Sequence, residues 1–107
     1  MAFYLIQASS TPAAVGAMIK NPQDRAEAIR PMMKKMGGKL HGLWFTFGEF
    51  DIVAIAETPD TVTAAAMAMA IGASGAMSAY RTTPLLTSAE AVEAMAKAGG
   101  VPYKAPK

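Results

Sequence analysis

Two short segments of this chain are apolar on both faces, and this constrains the fold more than any other feature of the sequence. Residues 2–9 read AFYLIQAS, with Phe3 and Leu5 alternating against Tyr4 and Ile6. Residues 50–57 read FDIVAIAE, with Val53 and Ile55 alternating against Ile52, Ala54 and Ala56. Side chains alternate sides along a strand. A strand with one wet face therefore shows apolar and polar residues in turn. These two do not, so each needs cover above and below.

The segments around them supply helices for one side. Thr11-Pro12 is an N-cap followed by Pro at the first helical position, opening a helix to about Lys20. Asn21-Pro22 interrupts it. A second helical stretch runs from about Pro22 to Met36, with Ala26, Ile29, Met33 and Met36 on one face and Glu27, Arg30 and Lys34 on another. Pro31 is expected to bend it, and Gly37-Gly38 to end it. Lys39 to Phe47 reads as a second strand, joined through a tight turn at Gly48-Glu49 to the third, residues 50–57. Asp60 caps a helix from Thr61 to about Ile71 that carries no charge and is expected to be buried nearly all round. Residues 76–83 read as a fourth strand ended by Pro84. Thr87 and Glu90 form a capping box for a last helix to about Ala98. The chain reads as one domain over 1–98 with an extended tail over 99–107.

The order β-α-β-β-α-β plus a terminal helix is that of an α+β, ferredoxin-like fold. Its four-stranded antiparallel sheet runs 4-1-3-2, with both crossover helices on one face. The other face needs a cover, either the terminal helix or a second copy of the sheet. Composition favours the second copy. Hydrophobic residues make up 52% of the chain, but 23 residues are Ala and nine are Met. Burial scales with apolar area, so a core of small side chains gains from a partner subunit. A homo-oligomer is expected, in a dimeric α/β-barrel type of assembly.

Other classes are set aside. A net charge of +2 is too weak for a nucleic-acid partner. There is no Cys, hence no disulfide, thiolate metal site or Cys nucleophile. Residues 61–80 carry no charge and have spanning length, but they are rich in Ala, Gly, Ser and Thr and break at Gly72-Ala-Ser-Gly75, so no membrane span is expected. The N-terminal apolar run lacks a basic flank and ends at Gln7, so it is not a signal peptide and a cytoplasmic location is expected.

The hairpin sequence Phe45-Thr-Phe-Gly-Glu-Phe-Asp-Ile-Val-Ala-Ile55 resembles that of the GYD domain family. The likeness extends over about residues 2–98, through Tyr4-Leu-Ile-Gln-Ala8, Gly37-Gly-Lys-Leu40, Pro59-Asp60 with its Ala-rich helix, and Thr82-Thr-Pro-Leu-Leu-Thr87. The family's Gly-Tyr-Asp motif reads here Gly48-Glu49-Phe50-Asp51, with Phe for Tyr and Glu interposed. The family is similar to the dimeric α/β-barrel superfamily, which implies the same fold. It implies no particular chemistry.

Nine residues are candidates for ligand contact: Tyr4, Gln7, His41, Trp44, Glu49, Asp51, Glu57, Tyr80 and Arg81. Each has a structural reading beside it. Asp51 can accept backbone N–H bonds at Ser10 or Thr11, or bind a ligand. Glu49 and Asp51 can face one side as a cation or acid–base pair, or stand as a solvated turn charge beside a structural Asp. His41 is the only histidine, and a zinc site needs three or four ligands. No metal and no cofactor is expected, although one axial His suffices for haem. Trp44, with Phe45 and Phe47, can stack on a flat ligand or pack at an interface. Glu57 and Arg81 are expected at one end of the sheet, as a pair for a polar ligand or a strand link. Tyr4, Gln7 and Tyr80 put polar tips on apolar strands. The leading reading is a homo-oligomeric domain for assembly or small-ligand binding. The alternatives are a cofactor-independent enzyme, monooxygenase- or isomerase-like, in a cleft between sheet and helices, and an accessory subunit docking through the hairpin or the tail. An enzyme would need Tyr4, His41, Asp51 or Tyr80 to converge on one pocket.

Overall fold

The strand β1, Ala2–Ser10, lies in the middle of the sheet, with β3 on one side and β4 on the other. The computed structural model describes residues 1–107. Its elements follow as α1 (Pro12–Lys20), α2 (Arg25–Lys35), β2 (Lys39–Phe45), β3 (Ile52–Thr58), α3 (Thr61–Ala73), β4 (Met77–Leu85) and α4 (Ser88–Gly99). The strand order is β2-β3-β1-β4, all antiparallel, as the ferredoxin-like reading requires. Leu5 sits opposite Ile55 on one side and Thr83 on the other, which fixes the register.

Alternation along the strands divides the sheet cleanly. Tyr4, Ile6 and Ala8 of β1 and Ile52, Ala54, Ala56 and Thr58 of β3 are buried toward the helices. Ile6, Met33, Leu40, Ala54, Ala56 and Met67 form one core cluster. Only 11 of the 107 residues are buried, so each core side chain carries a large share of the stability.

Side-chain caps set the helix starts. Thr11 Oγ1 accepts from the Ala14 N–H at 3.2 Å. Asp24 Oδ1 accepts from the N–H groups of Ala26 and Glu27, so α2 starts at Arg25 rather than at Pro22. The helix runs on through Pro31; Pro31 and Glu27, whose carbonyl loses its donor, are both exposed, and water can take the place of the missing bond. It ends where the Gly38 N–H reaches back to the Met33 carbonyl and the Gly37 N–H to that of Lys34, with Gly37 at φ +80°. A Cβ on Gly38 would stand 2.7 Å from the Glu57 carbonyl oxygen, so only glycine lets α2 close this tightly onto β3. The Thr87–Glu90 capping box forms in full. Hydrogen bonds to the charged forms hold the exposed Asp60 and Glu90 carboxyls below their ordinary values: the Thr63 hydroxyl and N–H act on Asp60, the Thr87 N–H and hydroxyl on Glu90.

Three sequence expectations are corrected and one open alternative is decided. The Gly48-Glu49 tight turn is a longer loop between Phe45 and Ile52, closed by the Thr46 N–H to the Asp51 carbonyl at 2.8 Å. Asp51 is drawn instead toward β1, where its N–H donates to the Ala8 carbonyl. Pro84 does not end β4, which continues to Leu85; β4 is an edge strand, where a missing N–H is tolerated. Within the chain α3 is not buried all round. Ala64 and Met67 face the sheet, while Val62 and Met69 are 76% and 74% exposed. The terminal helix does not cover the open face: α4 has no buried residue and packs as a layer against no other element. The radius of gyration is accordingly 17.1 Å, against about 13 Å for a chain of this length folded on itself.

Candidate functional site

The open face of the sheet carries Phe3, Leu5 and Gln7 of β1, Val53, Ile55 and Glu57 of β3, and Trp44 of β2. None of these is fully buried, and no helix of the chain lies over them. Toward the β2 edge, His41 Nε2 and Glu57 Oε1 stand 2.8 Å apart, and the His41 ring stacks on Phe3 with centroids 5.1 Å apart. A bulge in β2 between Leu40 and Gly42 puts His41 there. The six-membered ring of Trp44 occupies the space beside Gly42 that a Cβ would fill.

The helix-facing side holds a different feature. A cavity of about 60 Å³ lies between the sheet and helices α2 and α3, lined by Ile6, Met33, Ala54, Met67, Met77 and Tyr80 among others. Arg25 is the only charged residue on its wall. A second hollow, about 230 Å³, lies beneath α1 and shares Arg25, Ile52 and Met77 with the first. Tyr80 is half-buried here, and burial raises its phenol above the ordinary range. The Thr82 hydroxyl acts in the opposite direction and less strongly than burial. It stands outside hydrogen-bonding geometry, and its Oγ1 is buried without a partner.

The nine candidates therefore do not form one site. Glu57 and His41 meet on the open face, with Gln7 further along β1. Tyr4 is buried on the opposite side, 5% exposed. Tyr80 borders the cavity. Arg81 does not meet Glu57: it pairs with Gln7 while Glu57 pairs with Phe3, about four residues or ~13 Å along β1. Its guanidinium lies instead over the Phe50 ring at 5.4 Å. Trp44 is exposed at the β2 edge. Glu49 is exposed in the loop, and its carbonyl accepts from the Ser9 hydroxyl. Asp51 Oδ1 accepts from the Ser10 N–H at 3.0 Å and the Ser10 hydroxyl at 3.3 Å, tying the hairpin loop to the end of β1. The convergence of Tyr4, His41, Asp51 and Tyr80 that a shared pocket would need is absent, because the four lie on both sides of the sheet and in its loop. No three His, Asp or Glu side chains come together as a metal site would require. Arg25 is the site residue that sequence reasoning missed. Its signal is a cation in the first turn of a helix, where the dipole disfavours it.

Asp51→Ala is expected to lower stability by about 1–3 kcal/mol, because it leaves the half-buried Ser10 donors without their acceptor. A urea denaturation midpoint measures this.

The fold and its uncovered sheet define an α+β protein of ferredoxin-like topology. The chain matches the GYD domain family over residues 4–95 and belongs to that family. No curated protein and no solved structure matches it. No helix is long and apolar enough to cross a membrane.

Proposed function

We propose that this chain is the subunit of a homo-oligomer, most simply a dimer joined through the open sheet face, and that each subunit holds a small molecule between its sheet and its helices. The observation that carries the reading is the uncovered apolar patch of Phe3, Leu5, Val53 and Ile55 in the middle of the sheet. Monomers rarely leave such a patch in water. A second sheet packs on the first at about 10 Å and buries it, giving an assembly of the α/β-barrel type. The cavity lies on the other side of the sheet, so assembly leaves it free. Light scattering on the purified protein tests the assembly: the expected mass is a multiple of 11.1 kDa. A stable single-subunit mass at micromolar concentration overturns it.

A second reading, a cofactor-independent enzyme, draws on the same cavity, where Tyr80 and Arg25 are the two residues with polar groups on a wall otherwise made of apolar side chains. A third, an accessory subunit, draws on the unpacked α4 and the exposed residues 101–107.

A further inference from the structure

Arg25 combines three properties that the fold itself does not require. It opens α2 at the first helical position, next to the cap Asp24. A cation there faces the positive end of the helix dipole and gains nothing from it. The residue is half-buried. Its guanidinium also has no carboxylate partner, since the two ion pairs of the chain join Arg30 to Glu27 and His41 to Glu57. The adjacent Asp24 carboxylate is already occupied by the N–H groups of Ala26 and Glu27. Arg25 stands where three hollows meet: the inner one, otherwise lined by aliphatic, Met and Tyr side chains, the one beneath α1, and a more polar one of about 180 Å³ beside Asn21 and Gln23.

We propose that this cavity binds a small organic acid, with its apolar tail among Met33, Met67 and Met77 and its carboxylate on Arg25. The proposal rests on the ligand-binding half of the reading above and gives the ligand its chemical class. A guanidinium presents a planar fork that matches a carboxylate with two parallel hydrogen bonds. One cation balances one charge, so a monoanion fits and a dianionic phosphate would carry an unpaired charge against apolar walls. Size points the same way. The inner hollow, which would take the tail, is about 60 Å³, well below the roughly 300–1,000 Å³ of sites for drug-sized molecules. A short-chain or single-ring acid suits it. Flexible Met side chains let the inner hollow widen around a tail of this kind.

The test uses the full chain with isotope-labelled Met methyl groups, whose signals are followed by NMR. Hexanoate and benzoate are titrated beside their uncharged amides. The expected result is a shift of the Met33, Met67 and Met77 signals, with the acids binding at least about tenfold more tightly than the amides. Arg25→Gln is expected to remove that preference, and a native-like methyl spectrum of the free variant shows that it is folded. Acids and amides binding equally to the native chain would overturn the carboxylate assignment and leave ligand binding standing. Methyl signals that stay still with every compound at millimolar concentration overturn both. An acid preference that survives Arg25→Gln overturns the role of Arg25. Light scattering on the same samples reads assembly separately.

Discussion

Ile55→Glu is expected to give a folded single subunit of 11.1 kDa in place of the native assembly. Ile55 lies in the middle of β3, opposite Leu5 and Gly42, and points to the open face. In an isolated chain that face is wet, so a carboxylate there stays hydrated and the fold is retained. In a sheet-to-sheet dimer it is dry. An unpaired buried charge costs several kcal/mol, and a two-fold interface repeats the substitution in both subunits. Far-ultraviolet circular dichroism should therefore stay native while light scattering reports the single-subunit mass. An unchanged assembly mass would show that subunits do not meet through this face.

The open face was legible because its signal is local. Strand alternation depends on neighbouring residues, and FYLI and IVAIA leave no polar side for water. The caps at Thr11, Asp60 and Thr87 were legible for the same reason, since the accepting oxygen and its donor lie within three residues. The hairpin loop was not. The Asp51–Ser10 bond was offered by the sequence and is present, but the donation of the Asp51 N–H to the Ala8 carbonyl, far back in the chain, which draws Asp51 out of a tight turn, was not. The separation of Glu57 from Arg81 depends on register across three strands, which no short window contains. The neglect of Arg25 had another cause. An arginine next to a helix cap looks like surface, and its half-burial arises only once α1, α2 and the ends of β3 and β4 come together. The cover of α3 was misjudged because an uncharged helix signals absence of charge, not presence of a neighbour. Small residues such as Ala65, Ala66 and Ala70 tolerate water well enough for that face to stand open.

A comparison of two methionines separates core from surface in this Ala-rich chain. Met33 is 1% exposed and joins α2 to the centre of the sheet, with its methyl group 3.1 Å from where a Gly38 Cβ would stand. Met33→Ala removes most of that side chain beside an existing hollow. The expected loss is about 2–5 kcal/mol. Against a total of about 5–15 kcal/mol for an ordinary domain, a core of 11 buried residues has little to spare. The variant is expected to melt many degrees lower. Met69 lies on the outer side of α3, 74% exposed. In an assembly joined through the opposite side of the sheet it stays in water, so Met69→Ala should change stability by no more than about 0.5 kcal/mol. Denaturant midpoints of the two variants at equal protein concentration decide the matter. A large loss at Met69 would mean that a neighbouring subunit seals the outer face of α3. The helix layer, rather than the open sheet, would then carry part of the interface.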